Sequence, residues 1–516
     1  MPLYYLDTDP LFRRKYRVTC MHVHQEMITI LSDVGGLYKI ISFFILLPLG
    51  LALYTQDWIN VAAFFLIICY FAAAGNLLDK LPQYREYTKL SSALASLALA
   101  WLTSGIVFGI PYYICTDMTI SQSIFEGMAG WTRTNFSFLP IGEIHLSSSL
   151  FFWRAYTQWI GGLAMLSVFI SLMKGVQYSS FHQSMHERRQ EHIITSLQVV
   201  IRKIIPYYLI FSFIAWCAIF ANNVPFLDSI YLMLSSVSTG GFIPYPENIM
   251  YYDSISLEMT LICIMIISSL PLPLFFVLFF HKKIAALKRE KQILLLFCLI
   301  LSCTFIITCA MISGLATGLS QDGNPDDIGS IIRYGLFMSV SAATTTGFWN
   351  TSIEGWGDVN LILIMLLMFI GGSNMSMAGG IKLRRVLLWF AGVTWWVRQI
   401  FAPPHAMTPL FFEGERIGSK EANVEISKSA IVIVSSVLLI GISVLLFMHI
   451  QPNADVLSVI FDVTSAFATS GLSLGHVTPD MPLISMWIMI FLMWAGTLEV
   501  LPVIMLILVL FRSKDA

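Results

Sequence analysis

Long apolar runs alternate with short polar stretches along most of this chain. Runs near residues 37–55 and 58–78 predict a helical hairpin, with a polar, basic lead-in over 1–28 and a charged loop from Asp79 to Lys89. Beyond that loop one arrangement recurs four times. Apolar spans pair as 91–114 with 150–173, 204–222 with 256–280, 293–317 with 359–390, and 428–450 with 483–511. A membrane crossing needs about 20 mostly apolar residues. The pieces between paired spans, such as 121–132, are too short to cross, and each runs into a polar loop. A short helix that enters the membrane and returns through that loop fits, because non-helical backbone at membrane depth survives only where protein or water satisfies it. A surface loop between two helices is the plainer alternative.

The returning loops share a sequence. Ser341-Ala342-Ala343-Thr344-Thr345-Thr346-Gly347-Phe348 is echoed by Ser235-Ser236-Val237-Ser238-Thr239-Gly240-Gly241-Phe242 and by Thr464-Ser465-Ala466-Phe467-Ala468-Thr469-Ser470-Gly471-Leu472. Ala129-Gly130-Trp131-Thr132-Arg133-Thr134-Asn135-Phe136 is a weaker copy. The key positions are 135, 241, 347 and 471; the steps 241−135 and 347−241 are both 106, and 471−347 is 124. Near-constant spacing signals a repeated unit. The expected fold is an all-α polytopic membrane protein, with four helix–pore-loop–helix repeats around a pseudo-fourfold pore plus an N-terminal two-helix hairpin. The expected divisions are 1–90 for the lead-in and hairpin, 91–203 for repeat one, 204–292 for repeat two, 293–426 for repeat three with a polar insert at 400–426, and 427–516 for repeat four.

Composition agrees. The 516 residues are 57% hydrophobic and 12% charged, with a mean hydropathy of +0.75, whereas soluble domains are roughly 25% charged. Continuous rather than alternating apolar runs argue against a closed β-barrel. The net charge of −1 says nothing of partners, but its distribution does. Lys and Arg concentrate in 79–90, 174–203, 281–292, 382–426 and the tail, while the alternate loops carry Asp117, Glu143, Glu247, Asp253, Asp322, Asp326, Asp327, Glu354, Asp358 and Asp480. Basic loops stay inside, so ten spans and four re-entrant loops put both termini in the cytoplasm. The eight cysteines form no CxxC pair and read as small core residues. His182, His186, His192, His281 and His405 read as solvated loop residues rather than metal ligands. No cleaved signal peptide, catalytic constellation or phosphate-binding loop is legible, so neither an enzyme nor a bound cofactor is expected.

A dehydrated monovalent cation needs oxygens in place of water, and rings of backbone carbonyls supply them. Glycine permits the backbone angles that turn carbonyls inward. The candidate cation filter is therefore Thr132, Thr134 and Asn135; Ser238, Thr239, Gly240 and Gly241; Thr344, Thr345, Thr346 and Gly347; and Ala468, Thr469, Ser470 and Gly471. Asp117, Asp228, Asp327 and Asp455 near the opposite ends of the short helices could cap them or draw cations to the mouth. Gly371, Gly372, Gly379 and Gly380 enclose polar Ser373, Asn374 and Ser376 within the span 359–390. Each glycine weakens a helix by about 1 kcal/mol relative to alanine, so a break there is expected; close packing of small residues is the alternative.

With Phe125-Glu126, Trp153-Arg154, Gln158-Trp159-Ile160-Gly161-Gly162, Thr344-Thr345-Thr346-Gly347-Phe348, Phe369-Ile370-Gly371-Gly372-Ser373 and Ala378-Gly379-Gly380-Ile381-Lys382 in order, the chain resembles the Trk/Ktr/HKT superfamily of potassium transporters, in particular the membrane subunit of bacterial Trk systems. The resemblance implies potassium as the transported ion and the inner membrane as the site. It also implies an intramembrane gate loop at the glycine-rich break, a homodimer, and a separate cytoplasmic nucleotide-binding regulatory subunit. Membrane lipid is the remaining partner; nucleic acid is not expected.

Two positions depart from that family. Asn135 stands where the first filter loop carries glycine, with Arg133 two residues earlier, and Gly496-Thr497-Leu498-Glu499 lacks the arginine usual in the last span. A guanidinium about 4 Å from a transported cation would repel it by several kcal/mol at intermediate dielectric. Arg133 is therefore expected to point away from the axis and pair with Glu126, or with Glu499 as second candidate. A sodium-permeable or poorly selective permease, or a non-conducting regulatory homologue, are the alternatives these departures raise.

Overall fold

The computed structural model describes residues 10–82, 90–139, 146–181, 193–271, 290–313, 328–403, 409–413 and 415–514. Among the described residues the regular structure is helical apart from one small hairpin. In order, α1 is Pro10–Phe44, α2 Leu46–Tyr54, α3 Trp58–Leu78, α4 Leu90–Val107, α5 Ile110–Cys115, α6 Ile120–Thr132, α7 Ser148–Phe181, α8 Ile193–Phe220, α9 Phe226–Val237 and α10 Ile255–Ser268. Then come α11 Lys291–Ile312, α12 Ile328–Ala343, α13 Asp358–Ile370, α14 Leu383–Ile400, α15 Ser419–Ile450, α16 Val456–Ala468, α17 Leu483–Thr497 and α18 Leu501–Lys514. Each unit places a short helix, α6, α9, α12 or α16, between two outer ones.

The short helices and their returns are the buried centre. Residues 123, 125–134, 234–243, 337–348 and 461–472 lie almost wholly out of contact with the surroundings, hydroxyls included. Outer helices do the reverse and expose large apolar side chains, among them Phe65, Phe213, Leu301, Phe305, Leu438 and Leu445. A polar interior inside an apolar shell is the distribution a bilayer demands. Among the described residues, five helices are long and apolar enough to cross a membrane, or six if the bent pair α17–α18 counts as one.

Several elements differ from the reading of the sequence. Helix α1 begins at Pro10, so much of the expected lead-in is helical; proline suits a first helical turn, where its missing N–H is not needed. The expected span 359–390 is interrupted: α13 has 13 residues and the chain is non-helical until Leu383. The expected span 483–511 bends by 110° between α17 and α18. There Glu499 and Val500 both take positive φ (62° and 64°), and Pro502 can neither donate to the ladder nor let its predecessor sit easily in the α region. The polar insert holds an antiparallel hairpin, β1 (Leu410–Phe412) with β2 (Glu415–Ile417), pairing Leu410 with Ile417 and Phe412 with Glu415. Leu410 and Phe412 turn inward and pack with Leu388, Trp395 and Ala422 as a small core of their own. Of the seven cysteines whose side-chain exposure is described, five, Cys69, Cys217, Cys263, Cys298 and Cys309, are exposed rather than in the core; an apolar outer shell accepts a thiol as readily as the interior does. The five histidines named above and the basic residues Lys282, Lys283, Lys288 and Arg289 lie outside the described residues.

Candidate functional site

The four short helices end in the same turn. Arg133, Thr239, Thr345 and Thr469 each occupy the left-handed region (φ 62°, 56°, 52° and 56°). Their N–H groups bond back three residues, at 3.1–3.2 Å, and the next residue's N–H bonds back five: Thr134 to Ala129, Gly240 to Ser235, Thr346 to Ser341 and Ser470 to Ser465, at 2.8–3.0 Å. This is a Schellman closure, which satisfies the last carbonyls of a helix. Two residues after each left-handed position the chain reaches the key residue. Gly241, Gly347 and Gly471 have φ of 85°, 79° and 81°.

The key residues converge. A Cβ on Gly241 would strike the Thr346 carbonyl oxygen and the Asn135 side chain; one on Gly347 would strike the Ser470 carbonyl and Asn135; one on Gly471 would strike the Asn135 backbone. Asn135 does not share the positive φ of the three glycines, since an L-residue is penalised there. Its N–H lies 3.3 Å from the Ser470 oxygen, and its side-chain Nδ2 donates to the Gly347 carbonyl at 2.7 Å. The first loop thus brings a donor to a ring of acceptors. Hydroxyl pairs flank the ring, Thr132 with Thr134 at 3.0 Å and Thr344 with Thr346 at 2.8 Å.

Side chains from outside the loops hold them in place. Glu126, on α6, accepts from the Ser137 hydroxyl at 2.9 Å and the Phe138 N–H at 3.0 Å, and pairs with Arg154 Nε at 3.1 Å. Asp462, on α16, accepts from the Ser473 hydroxyl at 2.8 Å, the Leu474 N–H at 2.7 Å and the His476 N–H at 3.1 Å. Both carboxylates stand nine residues before their key residue. In the other two units a serine hydroxyl on the short helix bonds the carbonyl after the key glycine: Ser235 to Phe242 at 2.7 Å and Ser341 to Phe348 at 2.6 Å. Gln158 bridges Gly240 and Phe242, donating to one carbonyl at 2.8 Å and accepting from the other N–H at 3.2 Å. Glu258 receives Arg333 through two bonds of 2.7 Å and Asn350 at 3.0 Å. At the mouths, Asp455 caps α16, Asp228 accepts from the Tyr245 hydroxyl at 2.9 Å, and Thr119 rather than Asp117 caps α6. Asp327 lies outside the described residues.

The glycine-rich break sits directly against this ring. Gly371 and Gly380 take positive φ (70° and 75°), as do Met375 and Lys382. Ser373 N–H and Met377 N–H bond the carbonyls of Ser269 and Ser268 at 3.1 and 3.3 Å, Ser376 bonds Ser373 at 2.6 Å, and Asn374 N–H bonds Gln292 at 2.9 Å. Gly379 N–H donates to the Thr345 hydroxyl at 2.6 Å. A Cβ on Gly379 would collide with the Ala468 carbonyl and the Thr469 hydroxyl, so no other residue fits there without movement.

Arg133 is 1% exposed and points to this break, where Nη1 donates to the Met377 carbonyl. Neither expected carboxylate meets it. Glu126 is taken by Arg154, and Glu499 by Arg385 from α14. The arginine sits in the left-handed turn that closes α6, which aims its side chain beneath the ring rather than back along the helix. Thr497 fills the position of the absent arginine and turns its hydroxyl to the Met493 carbonyl at 2.8 Å.

The family model described as a cation transport protein, TrkH, matches residues 62–515. The chain belongs to the TrkH family. This TrkH-family chain is 28% identical over 498 residues to an uncharacterized cation transporter of Methanocaldococcus jannaschii, covering 95% of this chain and 98% of the relative. It is 24% identical over 490 residues to the Trk system potassium uptake protein TrkH of Salmonella typhimurium, covering 92% and 96%. The crystal structure of the potassium transporter TrkH from Vibrio parahaemolyticus superposes with a TM-score of 0.78 at 19% identity, over 93% of this chain and 98% of that one. The fold of the TrkH-family chain is therefore shared with that transporter. Asp462 and Met377 escaped the reading of the sequence. Asp462 was findable from its offset, equal to that of Glu126; Met377 acts through its backbone and leaves no signal.

Proposed function

We propose that this chain moves monovalent cations, potassium foremost, across the inner membrane. The candidate filter residues form the narrow path, and residues 371–380 act as its gate. One observation carries this reading: four identical helix ends bring their returning backbones to one place, with three glycines at positive φ among carbonyl oxygens. Such an arrangement offers oxygens to a dehydrated cation, and the C-terminal ends of the short helices add negative dipole ends nearby. The relatives named as potassium uptake proteins support the choice of ion. The Asn135 contact with the Gly347 carbonyl favours a second reading, weaker discrimination against sodium, because one oxygen of the ring is already engaged.

The charge asymmetry of the loops supports both termini in the cytoplasm. A homodimer and a separate cytoplasmic nucleotide-binding subunit belong to the same reading through the resemblance to Trk membrane subunits; with no phosphate-binding loop legible in this chain, any nucleotide control would come from that partner. The purified chain in potassium-free liposomes should take up potassium, and Gly347→Ala should cut the rate by tenfold or more, on the order of what a backbone clash at a positive-φ site costs. Equal uptake by the variant, folded and present at equal density, would sink the filter assignment. Removing part of Gly372–Gly379 should raise basal flux; an unchanged rate would return that segment to plain packing.

A further inference from the structure

The residues at 133, 239, 345 and 469 share one backbone state that their side chains disfavour. Threonine in the left-handed region is an outlier, because its branched Cβ crowds the backbone. Glycine would fill the same turn at no steric cost, yet all four positions carry a side chain with a donor. Strain held at a cluster of equivalent positions points to a job for those side chains.

Their contacts say what the job is. Thr239 donates its hydroxyl to the Met377 carbonyl at 3.1 Å, Arg133 donates to the same carbonyl, and Thr345 accepts from Gly379 N–H at 2.6 Å. The Thr469 hydroxyl lies against Gly379. All four turns therefore meet two residues of one segment, Met377 and Gly379, with only Ala378 between them. Arg133 is the exception among them in reach and in charge. A hydrogen bond from an ionised donor is roughly twice as strong as a neutral one.

We propose that Arg133 is a positioning residue, a latch that holds the intramembrane segment shut against the ring through the Met377 carbonyl. The inference rests on the reading of 371–380 as a gate. The latch and the obstruction coincide: while Arg133 holds Met377, the segment and a fixed positive charge both lie below the filter, and release of the segment frees the arginine to swing aside. Thr239 and Thr345 provide weaker, neutral holds and Thr469 a close contact, so the first unit contributes the firmest of the four.

The test uses the full-length chain in liposomes, with potassium influx and amide hydrogen exchange of the segment 373–382 measured together. Arg133→Thr gives the first unit the residue that the other three carry. Basal influx should rise about tenfold, the scale set by one buried charge-assisted bond, and exchange across 373–382 should quicken. Arg133→Lys, which keeps a charged donor, should stay close to the native rate. Thr239→Val removes the other donor to Met377 and should raise influx about threefold, the scale of a neutral bond; it tests the same carbonyl should Arg133→Thr fail to fold. Unchanged influx in folded Arg133→Thr or Thr239→Val overturns the latch. Raised influx with unchanged exchange also overturns it, since that is the mark of a charge barrier alone. A shortened 372–379 segment separates the two claims. If shortening leaves flux unchanged, the gate reading fails; if shortening opens the path and Arg133→Thr does not, only the latch fails.

Discussion

Units one and four differ from units two and three in what holds their loops. The four helix ends have the same backbone, with the same two hydrogen bonds and the same left-handed residue. Units one and four brace the returning strand with a buried carboxylate, Glu126 or Asp462, nine residues before the key position. Units two and three use a serine hydroxyl, Ser235 or Ser341, six residues before it. The repeat therefore survives as backbone closure, and the side chains that stabilise it have diverged in pairs. A second contrast divides the first pair: Glu126 has a cation, Arg154, at 3.1 Å, whereas Asp462 is held by a hydroxyl and two N–H groups.

The largest effect should come from breaking the ion pair. Glu126→Gln leaves Arg154 buried without its counter-charge and should cost about 3–5 kcal/mol, read by denaturation of the purified protein in detergent. Asp462→Ala removes the acceptor from two N–H groups and a hydroxyl but strands no charge, so about 2–3 kcal/mol is expected. Ser341→Ala removes one neutral bond, to the Phe348 carbonyl, and should cost about 1 kcal/mol. If Ser341→Ala proved as costly as Glu126→Gln, the contrast between the two kinds of brace would be wrong.

The smallest effect is a pH dependence in unit four. His476 follows the loop that Asp462 braces, and burial lowers its imidazole below the usual 6.5, with Asp455 opposing that shift. The folded protein then binds this proton less readily than the unfolded chain does. Stability from this group is full above about 6.5 and declines as pH falls from there through the depressed value. Protection of the backbone amides around residues 472–478, corrected for the slower intrinsic exchange at lower pH, should fall on acidification through this window, and His476→Gln should abolish the change. A response of equal size around 136–139 would remove the distinction between units one and four.

Much of this was legible in the chain. The spacing of 135, 241, 347 and 471 announced the repeat, because glycine-bearing turns must recur where the backbone does. The break at 371–380 was legible because paired glycines with polar residues between them cannot continue an apolar helix. What was hidden depends on contacts between units. Arg133 reads as the C-terminal end of a helix, with Glu126 two turns back; only the left-handed turn at 133 sends it to Met377, whose carbonyl any residue would present. Asn135 reads as a substituted glycine, but its amide contact with Gly347 required the neighbouring loop in place. The bend at 498–500 was hidden because Glu499 and Val500 carry no preference for positive φ, and the packing of α18 along α4 that accompanies it is a contact between distant parts of the chain.

In the proposed function the four loops form one cation path whose first member, Asn135, weakens its preference for potassium. Influx of potassium and of sodium into liposomes containing only this chain, native and as Asn135→Gly, tests it most directly. The native chain should carry potassium with measurable sodium entry, and Asn135→Gly should raise the potassium-to-sodium ratio by freeing the Gly347 carbonyl. Absence of protein-dependent cation flux, or the same ratio in both forms, would contradict it.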